Sequence, residues 1–339
     1  MRPSLMEILV CPDCLCGLVI DVAQSRENGE IERGTLRCER CLNTYPIRSG
    51  IPRFADSGAE EYSANFSWQW NRFRRTQIDA FSGLSESETR FRNETGWTPE
   101  SLKGRLVLDA GCGAGRFSSI AANWGARVIA VDLASGAVDA CAETLREQGL
   151  VADVVQASIY SLPFRPETFS HVFSLGVLQH TPDPDRAMRA LPNLVAPGGH
   201  IAYWIYERRW YQLFMIRNYL RVVSARLPLR VTRYLAVGLT VLFLPVALTM
   251  SWIPYARQLI PFLPVSARVR RGMSLKQMWE WTTLDTFDSY SARYEFNQRA
   301  EWVTRALSES GMGQIRRLNA RGMAITAYRR PGGKGNGPG

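Results

Sequence analysis

Lysine is nearly missing from this chain of 339 residues: it occurs only at positions 103, 276 and 334, so arginine carries almost all the positive charge. Acids are missing where the arginines are densest. Between positions 205 and 271 stand eleven Arg against a single acid, Glu207, so the whole net charge of +10 falls in that segment and the remainder is close to neutral. Arginine bias accounts for Arg in place of Lys, but not for the missing acids. A basic segment of this kind points to an anionic partner, either a membrane surface or nucleic acid. Residues 1–10 hold a short apolar run and none of the n-region, h-region and cleavage-site order of an export signal, so a cytoplasmic protein is expected. No internal repeat is present.

What is there suffices for one sizeable core and a smaller module, with 46% hydrophobic residues. Four of the seven cysteines form two pairs, Cys11-Pro-Asp-Cys14 and Cys38-Glu-Arg-Cys41, with 23 residues between them. Each pair sets two thiolates on one turn, and two such turns build a closed, tetrahedral four-thiolate zinc site. Without an export signal, that pattern reads as metal binding and not as a disulfide framework. Cys16 could replace Cys14, at a spacing that suits a knuckle less well.

Residues 1–56 therefore read as a small zinc-ribbon-like β module. Residues 57–98 are polar with interleaved Phe66, Trp68, Trp70 and Phe73, and read as a helical linker. From there to about residue 330 strands alternate with helices, which predicts a parallel, doubly wound α/β sheet. Strands are expected at 106–108, 127–132, 153–157, 172–174 and 200–206, with helices at 115–124, 137–148 and 185–195. The alternation stops over 207–284, a mostly helical insertion, and resumes with a helix at 297–311 and strands at 314–319 and 323–328. The tail 331–339 is rich in Gly and Pro and is expected to be disordered.

The segment Val107-Leu108-Asp109-Ala110-Gly111-Cys112-Gly113-Ala114-Gly115-Arg116 is a strand, a glycine loop and the start of a helix. Such a loop lets a nucleotide-like ligand approach the backbone closely. About 20 residues on, Asp132 ends the next strand, where its carboxylate can accept from ribose hydroxyls. The dinucleotide fingerprint wants glycine at position 116, where this chain has Arg116. Asp109 beside the glycines would repel a pyrophosphate, yet can help orient an ammonium group.

LDAGCGAGRF, AVDLA, QASIYSLPF, FSHVFSLGVLQHTPDP and APGGHIAYWIY follow one another as in the class I (Rossmann-like) S-adenosylmethionine-dependent methyltransferases, which the chain resembles over 105–206 and more faintly over 285–330. The likeness is greatest to the small-molecule, ubiquinone/menaquinone-type branch. It implies a seven-stranded sheet, with Gly111, Cys112 and Gly113 lining the methionine part of the cofactor. It further implies Asp132 and Leu133 at ribose and adenine, Ser158 and Ile159 at adenine, and Leu175 and Gly176 at the pocket floor. Ser158 departs from the family's usual Asp. Tyr45-Pro46-Ile47 and Gly50-Ile51-Pro52 extend the cysteine module into a likeness, over roughly 5–55, to the small zinc-ribbon activator subunit of tRNA, rRNA and protein methyltransferases. That likeness implies a stabilising or docking role beside the catalytic domain.

The place after the fourth strand reads Ser174-Leu175-Gly176-Val177, not the Asn/Asp-Pro-Pro-aromatic of amino-directed enzymes, and no Pro-Cys or Thr-Cys nucleophile occurs. An oxygen or carbon acceptor on a small molecule is the expectation. His180 is the base candidate, its neutral imidazole taking a hydroxyl proton; the alternative is a loop histidine capping the helix after Thr181-Pro182-Asp183-Pro184. Tyr206, Tyr290 and Tyr294 are further pocket candidates.

The insertion holds 23 uncharged residues at 234–256, enough to cross a bilayer by length. A single crossing would strand the last two strands on the far side of the sheet they complete. Gly238, Pro245 and Pro254 are also expected to interrupt the stretch. An interfacial amphipathic element, a re-entrant hairpin, a lid over an apolar substrate and a buried cap of a soluble domain all remain open, and the flanking arginines favour anionic headgroups. The expected activity is methylation of a small or lipid-linked acceptor at the inner face of a membrane, with the surface contact made by 207–271. The alternatives are an RNA methyltransferase, less in keeping with Leu, Val and Phe among the arginines, and a cofactor-binding scaffold without activity.

Overall fold

The computed structural model describes residues 1–55, 64–270, 272–318 and 322–332. Residues 57–63 of the linker, and 333–339 of the tail expected to be disordered, lie outside the described residues.

The N-terminal strands β1 (Leu18–Ser25), β2 (Ile31–Cys38), β3 (Thr44–Arg48) and β4 (Ile51–Pro52) form an antiparallel sheet in sequence order. Alternation along β3 turns Tyr45 and Ile47 inward and leaves Thr44 and Arg48 exposed. The larger sheet contains β5 (Leu106–Ala110), β6 (Arg127–Asp132), β7 (Ala152–Gln156), β8 (Phe169–Leu175), β9 (Val195–Ile205), β10 (Gly313–Leu318) and β11 (Met323–Tyr328). Their order is β10-β11-β9-β8-β5-β6-β7, with β11 antiparallel to both neighbours and the remaining pairs parallel. Central strands such as β5 and β6 are apolar on both faces because helices cover both. The order reverses between β5 and β8, and at such a switch point the carboxyl ends of the strands leave a ligand crevice.

The cysteine module closes the open edge of β7. Phe54 N–H donates to the Gln156 carbonyl at 2.7 Å, and Val10 N–H to that of Pro163 at 3.0 Å. Arg2 grips Asp153 at 2.6 Å, a carboxylate with only 1% of its side chain exposed. Leu5, Leu9, Val155 and Phe164 thus share one core. An edge that would otherwise invite another chain is covered in cis.

Two expectations need correcting. The helix expected at 185–195 stops at Ala190, because Pro192 cannot donate to it, and β9 begins at Val195, so Pro197-Gly198-Gly199 lies inside a strand. Gly238 and Pro245 do not interrupt the apolar stretch either: one helix, Leu229–Ser251, runs through both, and Pro254 falls beyond its end. Packing overrides local propensity here. Thr232, Ala236, Thr240, Leu244 and Ala247 make a buried stripe, and the helix lies along helix Leu275–Ser291. Pro245 itself is exposed.

The candidate cofactor and acceptor site

Loop and strand place the glycines at the switch point. Gly111 and Cys112 N–H both donate to the Val131 carbonyl, at 2.7 and 2.9 Å, tying the loop to the end of β6. Gly111 (φ +97°) and Gly113 (φ +53°) are left-handed, and a Cβ would clash with Val177 and meet Trp70 at 2.9 Å respectively. Asp132 accepts Gly113 N–H on Oδ2 and Ala134 N–H on Oδ1, each at 3.0 Å, so its orientation is fixed while its other lone pairs stay available. Burial raises its pKa against those backbone bonds.

A cavity of about 800 Å³ runs from this loop to the insertion. Gly111, Cys112, Gly113, Asp132, Leu133, Ile159, Leu175, Gly176 and His180 all line it. Three of the expected residues do not. Asp109 is buried behind the loop, accepting from Ser118 Oγ at 2.6 Å, and burial pushes its carboxyl up to about 7. Gly115 starts helix Arg116–Asn123 at φ +84°, against Cys141. Ser158 turns its hydroxyl to accept Tyr160 N–H at 3.3 Å.

His180 sits in a 3₁₀ turn, Leu178–His180, edge-on to Tyr206 with ring centroids 5.4 Å apart. Its Nδ1 lies 3.0 Å from the Tyr294 carbonyl, so a neutral ring carries its proton on Nδ1 and keeps a lone pair on Nε2. Of the tyrosines, Tyr206 lines the cavity, Tyr294 holds His180 through its backbone, and Tyr290 is buried with its hydroxyl donating to Pro264 O at 3.1 Å. His171 and His200 stack on each other, 5.2 Å between centroids, away from the cavity.

Several lining residues escape a reading by motif. Trp70 caps Gly113 from helix Ala64–Arg72, and Asp288 enters from helix Leu275–Ser291, its pKa raised by burial near His180. Arg116 is buried against Ser87 Oγ (2.9 Å) and Gln77 Oε1 (3.2 Å), and burial lowers its pKa to about 9. The interleaved aromatics of the linker were the one visible signal; Asp288 had none, being separated from the loop by the whole insertion.

In the small module the four sulfurs of Cys11, Cys14, Cys38 and Cys41 lie within 4.8 Å of one another. Cys11 to Cys41 is 3.5 Å and Cys14 to Cys38 is 3.4 Å, near the roughly 3.8 Å edge of a tetrahedron with Zn–S bonds of about 2.3 Å. Arg40 and Cys41 N–H point at Cys38 Sγ, at 3.4 and 3.5 Å. Cys16 stands outside the set, its Sγ toward the Cys14 carbonyl at 3.6 Å. Four thiolates, no open position and supporting N–H donors fit a structural zinc ion.

Residues 108–203 match the family described as methyltransferase domain, and residues 2–50 the family described as Trm112p-like protein. A ubiquinone biosynthesis O-methyltransferase of Stutzerimonas stutzeri is 36% identical over 110 residues, covering 32% of this chain and 47% of that protein. One from Xanthomonas euvesicatoria pv. vesicatoria is 38% identical over 145 residues, covering 39% and 61%. The chain spans about half the length of the curated relatives it matches. A solved SAM-dependent methyltransferase from Methanosarcina mazei aligns over 68% of this chain and 94% of its own, with 16% identity and a TM-score of 0.41. Strand order, glycine loop and the family match over residues 108–203 mark a methyltransferase domain within this chain. A zinc-ribbon module precedes it in the same chain.

Proposed function

We propose that this protein transfers a methyl group from S-adenosylmethionine to an oxygen or carbon of a small or lipid-linked acceptor at the inner face of a membrane. The observation that carries the reading is the single cavity joining the glycine loop, His180 and the insertion. The two relatives named above are O-methyltransferases, which supports oxygen as the acceptor atom. Gly111, Cys112 and Gly113 would hold the methionine end of the cofactor, Asp132 and Leu133 the ribose and adenine, and Ile159, Leu175 and Gly176 the remaining walls. When bound, S-adenosylmethionine supplies a methyl group on a sulfonium, a good leaving centre, so positioning does much of the work. His180 Nε2 would accept the proton of the acceptor's hydroxyl. The Tyr294 carbonyl keeps Nε2 as the accepting nitrogen.

Incubation with methyl-labelled cofactor and total cell extract, followed by partition of lipid, RNA and protein, tests the reading. Label in the lipid or small-molecule fraction is expected. Label in RNA alone would replace it with an RNA methyltransferase.

A further inference from the structure

The helices of the insertion are inside out relative to a soluble domain. Helix Ile216–Ser224 turns its polar groups inward: Arg221 pairs with Glu295 at 3.8 Å and Ser224 Oγ donates to the Tyr290 carbonyl at 2.8 Å. Its outward face is Tyr219, Leu220, Val222 and Val223. Helix Leu229–Ser251 repeats the inversion. Its buried stripe is mainly Thr and Ala, whereas Val237, Val241, Leu242 (66% exposed) and Val246 face outward at helical spacing. Among the described residues this is the helix long and apolar enough to cross a membrane by length and composition, and only 22% of its apolar window is buried.

Three features choose the occupant of that face. Tyr234 (79% exposed), Trp252 (87%) and Tyr255 (84%) bracket the aliphatic stripe, as aromatic rings do at a membrane–water interface. Arg226, Arg230 and Arg257 are exposed at the two ends, where phosphate headgroups would lie. A second copy of the chain would bring arginine against arginine, because Glu207 is the segment's one acid and is already held by Arg209 and Arg317. Spanning is excluded by β11 pairing with β9 over its full length, which returns the chain to the sheet it left. The opposite face is also committed, to helix Leu275–Ser291 with its cavity residues Asp285 and Asp288.

The same segments wall the cavity. In the turn Trp210–Phe214 and just after it, Tyr211 and Met215 line the cavity while Trp210 and Phe214 (68% exposed) point out. In the turn Ala256–Phe262, Ile260 lines it while Leu259 and Phe262 are exposed.

We infer that the outward faces of helices Ile216–Ser224 and Leu229–Ser251 seat the protein in one leaflet of an anionic bilayer, lying in the interface without crossing it, and that an acceptor with an apolar tail reaches the cavity between the turns Trp210–Phe214 and Ala256–Phe262. This rests on the acceptor reading above and names the class of acceptor.

The full chain is floated with phosphatidylcholine vesicles with and without phosphatidylglycerol. Wild type is expected to float with the anionic vesicles, less so as salt rises. The triple variant Val237→Ser, Leu242→Ser, Val246→Ser is expected to lose at least about tenfold in vesicle affinity, with S-adenosylmethionine binding by calorimetry unchanged. In brominated-lipid vesicles, Trp252→Phe is expected to remove part of the tryptophan quenching. The triple variant is also expected to lose label transfer into extracted membrane lipid. Wild type left unfloated, a variant that floats equally, or a face that dimerises and ignores vesicles overturns the seat; unchanged lipid labelling by the unseated variant overturns the entry route. Flotation with label in RNA alone overturns the acceptor reading while supporting the seat.

Discussion

His180 Nδ1 stands 3.0 Å from the backbone oxygen of Tyr294, a residue 114 positions away on the far side of the insertion. One hydrogen bond thus decides which imidazole nitrogen is free in the cavity, and it exists only when the chain has returned from the insertion to the sheet.

The relationship predicts that His180→Ala lowers kcat by about 10²-fold or more, the usual share of a general base. His180→Gln, which can still donate to the Tyr294 carbonyl, should not restore it. Cofactor affinity should stay within about twofold, since the residue would act on the acceptor's proton. Initial rates and calorimetry on the two variants check this, and an unchanged kcat would remove His180 from the chemistry.

Asp109 makes the pH dependence of stability predictable in sign. Its carboxyl ordinarily titrates near 3.8 and in the fold near 7, so between those values the native state binds more protons than the unfolded one. Stability therefore falls as pH rises from about 4 to about 7, by up to roughly 4 kcal/mol from this group. Asp109→Asn is expected to flatten that part of the profile. Thermal melts across the window would read it; a mutant profile as steep as wild type's would refute the assignment.

At Gly111 the added methyl of Gly111→Ala clashes with Val177 and the backbone holds φ +97°. A cost of about 1–3 kcal/mol is expected. Val177→Ala in the same chain should recover the steric part and leave the backbone part. Denaturant unfolding of both singles and the double gives the coupling; simple additivity would mean that the contact is not the cause.

The cysteine geometry separates Cys16 from the other four. Cys38→Ser should abolish zinc binding and loosen the module from β7, whereas Cys16→Ser should keep one zinc per chain. Elemental analysis after gel filtration decides, and metal content unchanged in Cys38→Ser would sink the site.

Much of the fold was legible because its signals are local. A strand, a glycine loop and a helix follow from about ten consecutive residues, and two Cys-x-x-Cys turns announce their own chemistry. Two errors were local too. Pro192 ends the helix that the apolar pattern carries on to Val195, and helix Leu229–Ser251 passes Gly238 and Pro245 because the helix beside it supplies the stability. What escaped were contacts between distant segments, Trp70 on Gly113 and Asp288 near His180.

By itself the sequence determined the α/β class, the glycine loop with Asp132 behind it, the four-cysteine set and the concentration of arginine over 205–271. Each is a property of neighbouring residues or of composition. Only the tertiary structure decided that Asp109 is buried behind the loop, that the insertion's apolar side faces outward, and that the chain's return to β9 closes one cavity over loop, histidine and insertion. Those outcomes depend on which surfaces remain after the core has packed, and no local pattern encodes that remainder.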